Sequence, residues 1–151
     1  MPYVTLDSGG KITGVYALPQ PGNPSFATIS TDDAAWVAYL AAQTLQAAVA
    51  ALLTSGCAIV STGTPSISAT YALDPNTMDQ IGALARDCAS GLGFPLEAST
   101  FAYPDINSTP RMFTSAAIQD IYKALRDYIF EIELYSTGQA QSPPSQPVTI
   151  A

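Results

Sequence analysis

Apolar and polar positions follow a strand-like pattern in several short segments and a helical period in three longer stretches. Tyr3-Val4-Thr5-Leu6 and Ile12-Thr13-Gly14-Val15-Tyr16-Ala17-Leu18 have strand composition. Asp7-Ser8-Gly9-Gly10 between them supplies turn residues that tolerate positive φ. This predicts an N-terminal β-hairpin. Residues 19–30, PQPGNPSFATIS, predict an extended or turned connector, because proline removes a donor and pushes the preceding residue away from αR. Thr31-Asp32-Asp33 predicts a helix start, with Thr31 as the capping hydroxyl and the two carboxylates at the positive end of the dipole. The helix is expected to run to Ser55 and to stop at Gly56.

Beyond Gly56, Cys57-Ala58-Ile59-Val60 reads as a short strand or as a continuation of the apolar contact, and Ser61 to Ser66 as a boundary. Ile67 to Leu73 is expected to be extended. Asp74-Pro75-Asn76 then opens a helix carrying Met78, Ile81, Leu84, Ala85 and Cys88 at helical spacing, which ends by Gly91 or Gly93. Phe101–Ile106 and Arg111–Phe113, joined by the polar turn Asn107-Ser108-Thr109-Pro110, predict a second hairpin. Thr114 or Ser115 caps a last helix whose apolar set is Ile118, Ile121, Tyr122, Leu125, Tyr128, Ile129, Ile132 and Leu134. A Pro-rich tail ends in Val148-Thr149-Ile150, which either docks on a sheet edge or is disordered. The fold class expected is α+β. Its parts are a hairpin and connector (1–30), an Ala-rich oligomerisation helix (31–60), a small domain of two helices and a hairpin (65–136) and the tail (137–151).

Charge changes this picture most at the first helix. Only 11% of residues are charged, well below the share that a monomer of this size spreads over its surface. From Ala34 to Leu53 there is no charge at all. A transmembrane reading fails on Gln43, Thr44 and Gln46 near the centre, and on the lack of flanking Lys or Arg. Close packing against another helix fits better, with Trp36, Leu40, Leu45, Val49 and Leu52 as the expected partner or oligomer interface. Their stripe can face either its own domain or a neighbouring subunit. The net charge of −7, with Lys11, Arg86, Arg111, Lys123 and Arg126 scattered, argues against nucleic acid and against an anionic membrane surface.

Candidate chemistry is sparse. The absence of histidine excludes Ser-His-Asp and Cys-His catalysis and any imidazole metal site. Cys57 and Cys88 are expected as free, buried thiols, and no secretory leader is recognised ahead of Tyr3. Ser90-Gly91-Leu92-Gly93 ends a helix rather than opening one, so it is no phosphate cradle. Glu97 and Asp105 form the nearest approach to an acid pair, but sit in no motif. No catalytic residue, cofactor or metal is expected. The aromatics Phe101 and Tyr103, with Arg111 on the same hairpin, are a candidate binding surface for carbohydrate or peptide. Tyr122, Tyr128, Phe130 and Tyr135 on the last helix could extend it, although such residues more often fill a core.

Two segments carry a family resemblance. Asp7, Gly10-Lys11-Ile12, Gly14-Val15-Tyr16-Ala17, Pro19-Gln20-Pro21-Gly22 and Asp32-Asp33 with Trp36 to Leu40 resemble a short N-terminal module of phage and prophage tail-gene products. Tyr71-Ala72-Leu73-Asp74, Phe101-Ala102-Tyr103-Pro104-Asp105, Phe113-Thr114 and the closing Pro147 to Ala151 are similar to a domain of unknown function found beside tail-fibre genes. The resemblance implies a tail-fibre assembly factor or a minor structural component of the tail. Its partners would be the tail-fibre protein, itself as a homo-oligomer such as a trimer, or both. Such a protein would work in the bacterial cytoplasm during assembly or in the virion tail. It brings no catalytic residues. Assembly factors of this kind often have a more charged helix than Ala34–Leu53, which tilts the expectation towards a permanent structural partner. A host-surface binding module is the alternative.

Overall fold

The computed structural model describes residues 1–18, 22 and 26–151, with Phe26 described by its backbone alone, and mixes strands and helices in an α+β fold. Two compact units divide the chain, Met1–Ala47 and Ala48–Ala151.

In the first unit β1 (Tyr3–Leu6) pairs antiparallel with β2 (Ile12–Tyr16) on one side and β3 (Phe26–Thr28) on the other. The hairpin follows the expectation. The third strand does not: residues 19–30 are expected as connector throughout, yet Phe26-Ala27-Thr28 lies past the last proline and pairs with the open edge of β1. Residues 19–21 and 23–25 of that connector, including Pro19-Gln20-Pro21 of the resemblance motif, lie outside the described residues. Val4, Ile12 and Ile29 form a small core, against which Leu6, Ala27, Ala35, Trp36 and Tyr39 pack.

The β1–β2 turn is built by a carboxylate. Asp7 Oδ1 accepts hydrogen bonds from the backbone N–H groups of Gly9 and Lys11, each at 2.9 Å. The Asp7 N–H donates to the Lys11 carbonyl at 2.9 Å, the Gly10 N–H donates to the Asp7 carbonyl at 3.0 Å, and Gly10 takes φ +79°. This is a type I turn followed by a left-handed residue.

Helix α1 (Ala34–Ser55) begins later than the expected cap. Asp33, not Thr31, closes its N-terminus: its carbonyl accepts from Val37 N–H at 3.0 Å and its carboxylate from Ala35 N–H at 2.8 Å. Asp32 is instead engaged by the hydroxyl of Ser30. The stop at Gly56 agrees with the expectation, since Gly56 adopts φ +75°.

The second unit takes in the last turns of α1 and everything beyond. Its sheet orders β5 (Ala69–Tyr71), β4 (Cys57–Ser61) and β8 (Val148–Ile150), with β5 antiparallel and β8 parallel to the central β4. The expected small domain of two helices and a hairpin is therefore extended by a mixed sheet. The tail docks on it: the Gln146 side chain accepts from Ala58 N–H at 3.1 Å, donates to the Gly56 carbonyl at 3.0 Å and bonds the Tyr128 hydroxyl. That side-chain amide imitates one rung of the ladder, so it fixes where β8 starts.

Helix α2 (Pro75–Ala89) is capped by Asp74, which accepts from Thr77 N–H at 3.1 Å. Helix α3 (Ser115–Ser136) is capped by Thr114, which accepts from Ala117 N–H at 3.3 Å. Both helix starts match the sequence signals. The core gathers Ile81 and Ala85 of α2, Ile118, Ile121, Leu125 and Tyr128 of α3, and Cys57, Ile59, Tyr71 and Phe113 of the strands. The buried Tyr71 hydroxyl donates to the Ile67 carbonyl at 2.5 Å, leaving its polar end satisfied.

Strands β6 (Phe101–Pro104) and β7 (Pro110–Phe113) form the expected second hairpin. Its turn repeats the first, bond for bond. Asp105 Oδ1 accepts from Asn107 and Thr109 N–H at 2.9 and 3.0 Å, Asp105 N–H donates to the Thr109 carbonyl, and Ser108 N–H donates to the Asp105 carbonyl. Here, however, the left-handed position holds serine at φ +61°. A side chain at that backbone conformation carries strain that glycine avoids. Ser108→Gly is expected to raise stability by about 0.5–1 kcal/mol, read as a higher urea midpoint. An unchanged or lower midpoint would contradict this account of the turn.

Candidate functional site

Helix α1 is the first candidate. No residue along its 22 positions is fully buried, and it carries no charge. By length and composition it is also long and apolar enough to cross a membrane. The five residues expected to form an interface divide between different surroundings. Trp36 packs on the core of the first unit and stacks with Tyr39 at 5.7 Å between ring centroids. Val49 and Leu52 pack against the core of the second unit, and Leu45 is half-buried. Leu40 alone of the five is exposed, at 45%, and Val37 beside it is exposed at 53%. Sequence reasoning misses Val37, because on a helix apolar all round nothing marks which face the rest of the chain leaves open.

The second candidate is the 101–113 hairpin. Phe101, Ala102, Tyr103 and Pro104 line a groove of about 430 Å³ with Gln80, Ala83 and Leu84 of α2. Tyr103 is buried and its hydroxyl lies 3.3 Å from Gln80 Oε1, while Phe101 stacks on Phe94 at 5.6 Å. The groove is thus apolar, with one phenol and one amide as its polar handles.

Arg111 does not join it. Its guanidinium clasps Asp105 Oδ2 with two hydrogen bonds, 2.8 Å from one terminal nitrogen and 3.0 Å from Nε, and donates to the Ser66 carbonyl at 3.3 Å. The wider aromatic platform does not assemble either. Tyr128 is buried in the core, whereas Phe130 is 58% exposed elsewhere on α3.

Asp105 is committed in the same way. Its side chain is nearly inaccessible and accepts two backbone N–H bonds and the Arg111 pair. The Arg111 hydrogen bonds, then those of the turn, hold its carboxyl below the usual carboxylate range. A carboxylate so held stays ionised at neutral pH and cannot serve as the proton donor of an acid pair with Glu97. The linkage sign follows from the depressed folded value: Asp105 contributes stability above its unfolded pKa of about 4, and that contribution is lost as pH falls through the folded pKa. Asp105→Asn should therefore flatten the acid limb of a stability–pH curve. An acid limb as steep in the variant as in the parent would contradict it.

Cys57 is buried and Cys88 half-buried, both free. Burial, with a smaller contribution from Glu131, pushes the Cys57 thiol up to about 12. A further groove of about 290 Å³ runs between α3 and β8, lined by Asp120, Lys123, Asp127 and Glu131. Of these, Asp127 is paired with Arg126 at 2.7 Å. Among the described residues no group of three His, Cys, Asp or Glu side chains is placed to hold a metal ion. Comparison with known protein families, with curated proteins and with solved structures gives no match for this chain.

Proposed function

We propose that this chain is an assembly or structural protein of a phage or prophage tail, associated with the tail fibre, and that it acts by packing helix α1 against a partner rather than by catalysis. The observation that carries the reading is α1 itself: 22 residues without a charge, none of them fully buried. Large apolar side chains left exposed along one uncharged helix, Val37, Leu40 and Leu53, mark an interaction surface. The resemblance of the Asp7–Leu40 segment and of the Tyr71–Ala151 motifs to tail-associated products supplies the biological setting. Place of action follows from the same reading, in the bacterial cytoplasm during assembly or in the virion tail.

Co-expression of the full chain with a tail-fibre protein of the same phage or prophage tests the proposal. Fibre solubility and trimer yield are expected to rise with this chain present, or the two are expected to co-purify. Equal fibre yield together with no co-purification would overturn it. The apolar groove at Phe101 and Tyr103 favours a second reading, a host-surface module for carbohydrate or peptide. It requires binding on a glycan or peptide array that Phe101→Ala abolishes.

A further inference from the structure

One stripe of α1 is exposed. In the first unit Ala35, Ala38, Tyr39 and Ala42 line a small cavity with the Gly9–Ile12 turn, so that side of the helix is directed to the hairpin. At 100° per residue, Val37, Leu40 and Thr44 lie on the opposite side. All three are exposed, and the same alternating steps of three and four continue through Ala47 and Ala51, also exposed. Steps of three and four are the spacing of a coiled-coil seam. Thr44 Oγ donates to the Leu40 carbonyl at 2.9 Å, so burying this threonine strands no hydroxyl.

We propose that this stripe is a self-association seam, on which α1 of a second copy of the chain packs antiparallel with Thr44 facing Thr44 across a two-fold axis. The inference rests on the reading that α1 is the working element, and it names the occupant of its open face.

Charge selects the copy. The stripe is neutral, so a charged partner would lose solvation there with nothing to pair against, whereas a second α1 is equally neutral. Area allows a modest, concentration-dependent dimer: the Val37–Ala51 stripe, about 21 Å of helix, covers on the order of 400 Å² per chain, about half the ~800 Å² per partner of stable complexes.

Side-chain volume and end charge select the direction. Antiparallel order sets Val37 against Ala51 and Leu40 between Ala47 and Ala48, large against small, which keeps the helix axes evenly spaced. Parallel order would put Leu40 on Leu40 and Ala47 on Ala47, splaying the helices. It would also crowd Asp32 and Asp33 of both copies at one end, where antiparallel order holds the two pairs apart and aligns the helix dipoles favourably.

The test uses the full chain with Cys88→Ala as background. Thr44→Cys is expected to form an interchain disulfide in most molecules on mild oxidation, and so is the double variant Val37→Cys with Ala51→Cys. Val37→Cys alone is not, because antiparallel copies hold its two thiols roughly 20 Å apart. Leu40→Glu is expected to abolish the Thr44→Cys cross-link with unchanged circular dichroism, while Phe130→Glu, at an exposed position on α3, leaves it intact. Efficient cross-linking of Val37→Cys alone would overturn the antiparallel order. Cross-linking that survives Leu40→Glu, or flotation of the chain with phosphatidylcholine vesicles in place of cross-linking, would overturn the seam. A chain that never cross-links yet co-purifies with the fibre protein overturns this inference and leaves the proposed function standing.

Discussion

Replacing Gly56 with alanine is expected to destabilise the C-terminal unit by about 3 kcal/mol, more than any surface substitution in the chain. Two costs combine at this position. The backbone sits at φ +75°, where an L side chain costs about 1–2 kcal/mol. An added Cβ would also lie 2.5 Å from the Tyr71 carbonyl oxygen and 3.0 Å from Ile106 Cδ1. Tyr71 is the register partner of Cys57, so the clash falls on the first rung of the β4–β5 ladder, next to the carbonyl that Gln146 binds. Backbone cannot retreat there without opening the sheet. Gly56→Asn separates the two costs, because asparagine tolerates left-handed backbone but still carries a Cβ. Denaturant melts should show asparagine nearly as damaging as alanine. A mild asparagine variant would mean that conformation alone explains the glycine.

Leu125→Ala is the second large effect, also expected near 3 kcal/mol. Leu125 is fully buried in the core cluster built by α2, α3 and the sheet residues Cys57, Ile59 and Tyr71. The surroundings are tightly packed: a Cβ added at Gly82 of α2 would already lie 3.0 Å from the Tyr122 ring of α3. Helices held that close cannot both shift into the void, so much of the cavity remains and its cost is added to the lost transfer energy. Urea denaturation checks this. A loss under about 1 kcal/mol would show that the core relaxes around the deletion.

The parts of this fold that are legible in the sequence are those whose cause is local. The first hairpin announces itself through Asp7, which bonds the backbone two and four residues on; Asp105 does the same in the second, where the sequence reading sets the turn two residues later, at Asn107. Asp74-Pro75 and Thr114 each mark a helix start by a hydrogen bond within three residues. Strand β3 escapes because the prolines before it dominate the composition of its segment, while its pairing depends on a strand edge far back in the chain. Sequence reasoning favours Thr31 over Asp33 because Ser30, Thr31, Asp32 and Asp33 all suit a cap, and only the first backbone bond decides among them. Arg111 reads as a ligand-binding cation, although its position opposite the Asp105 turn on a short hairpin is a sufficient signal of an ion pair. Of the open stripe of α1, only Leu40 is legible in the sequence. Alanine and leucine occur on every side of that helix, so composition does not mark which positions stay exposed.

The mass of the full chain in solution tests the central claim, that α1 works by association, most directly. Sedimentation velocity at increasing concentration should give a species at twice 15.7 kDa that Leu40→Glu returns to the single-chain mass without loss of helicity. A parent chain that stays at 15.7 kDa at every concentration, alone and with the fibre protein, would contradict it.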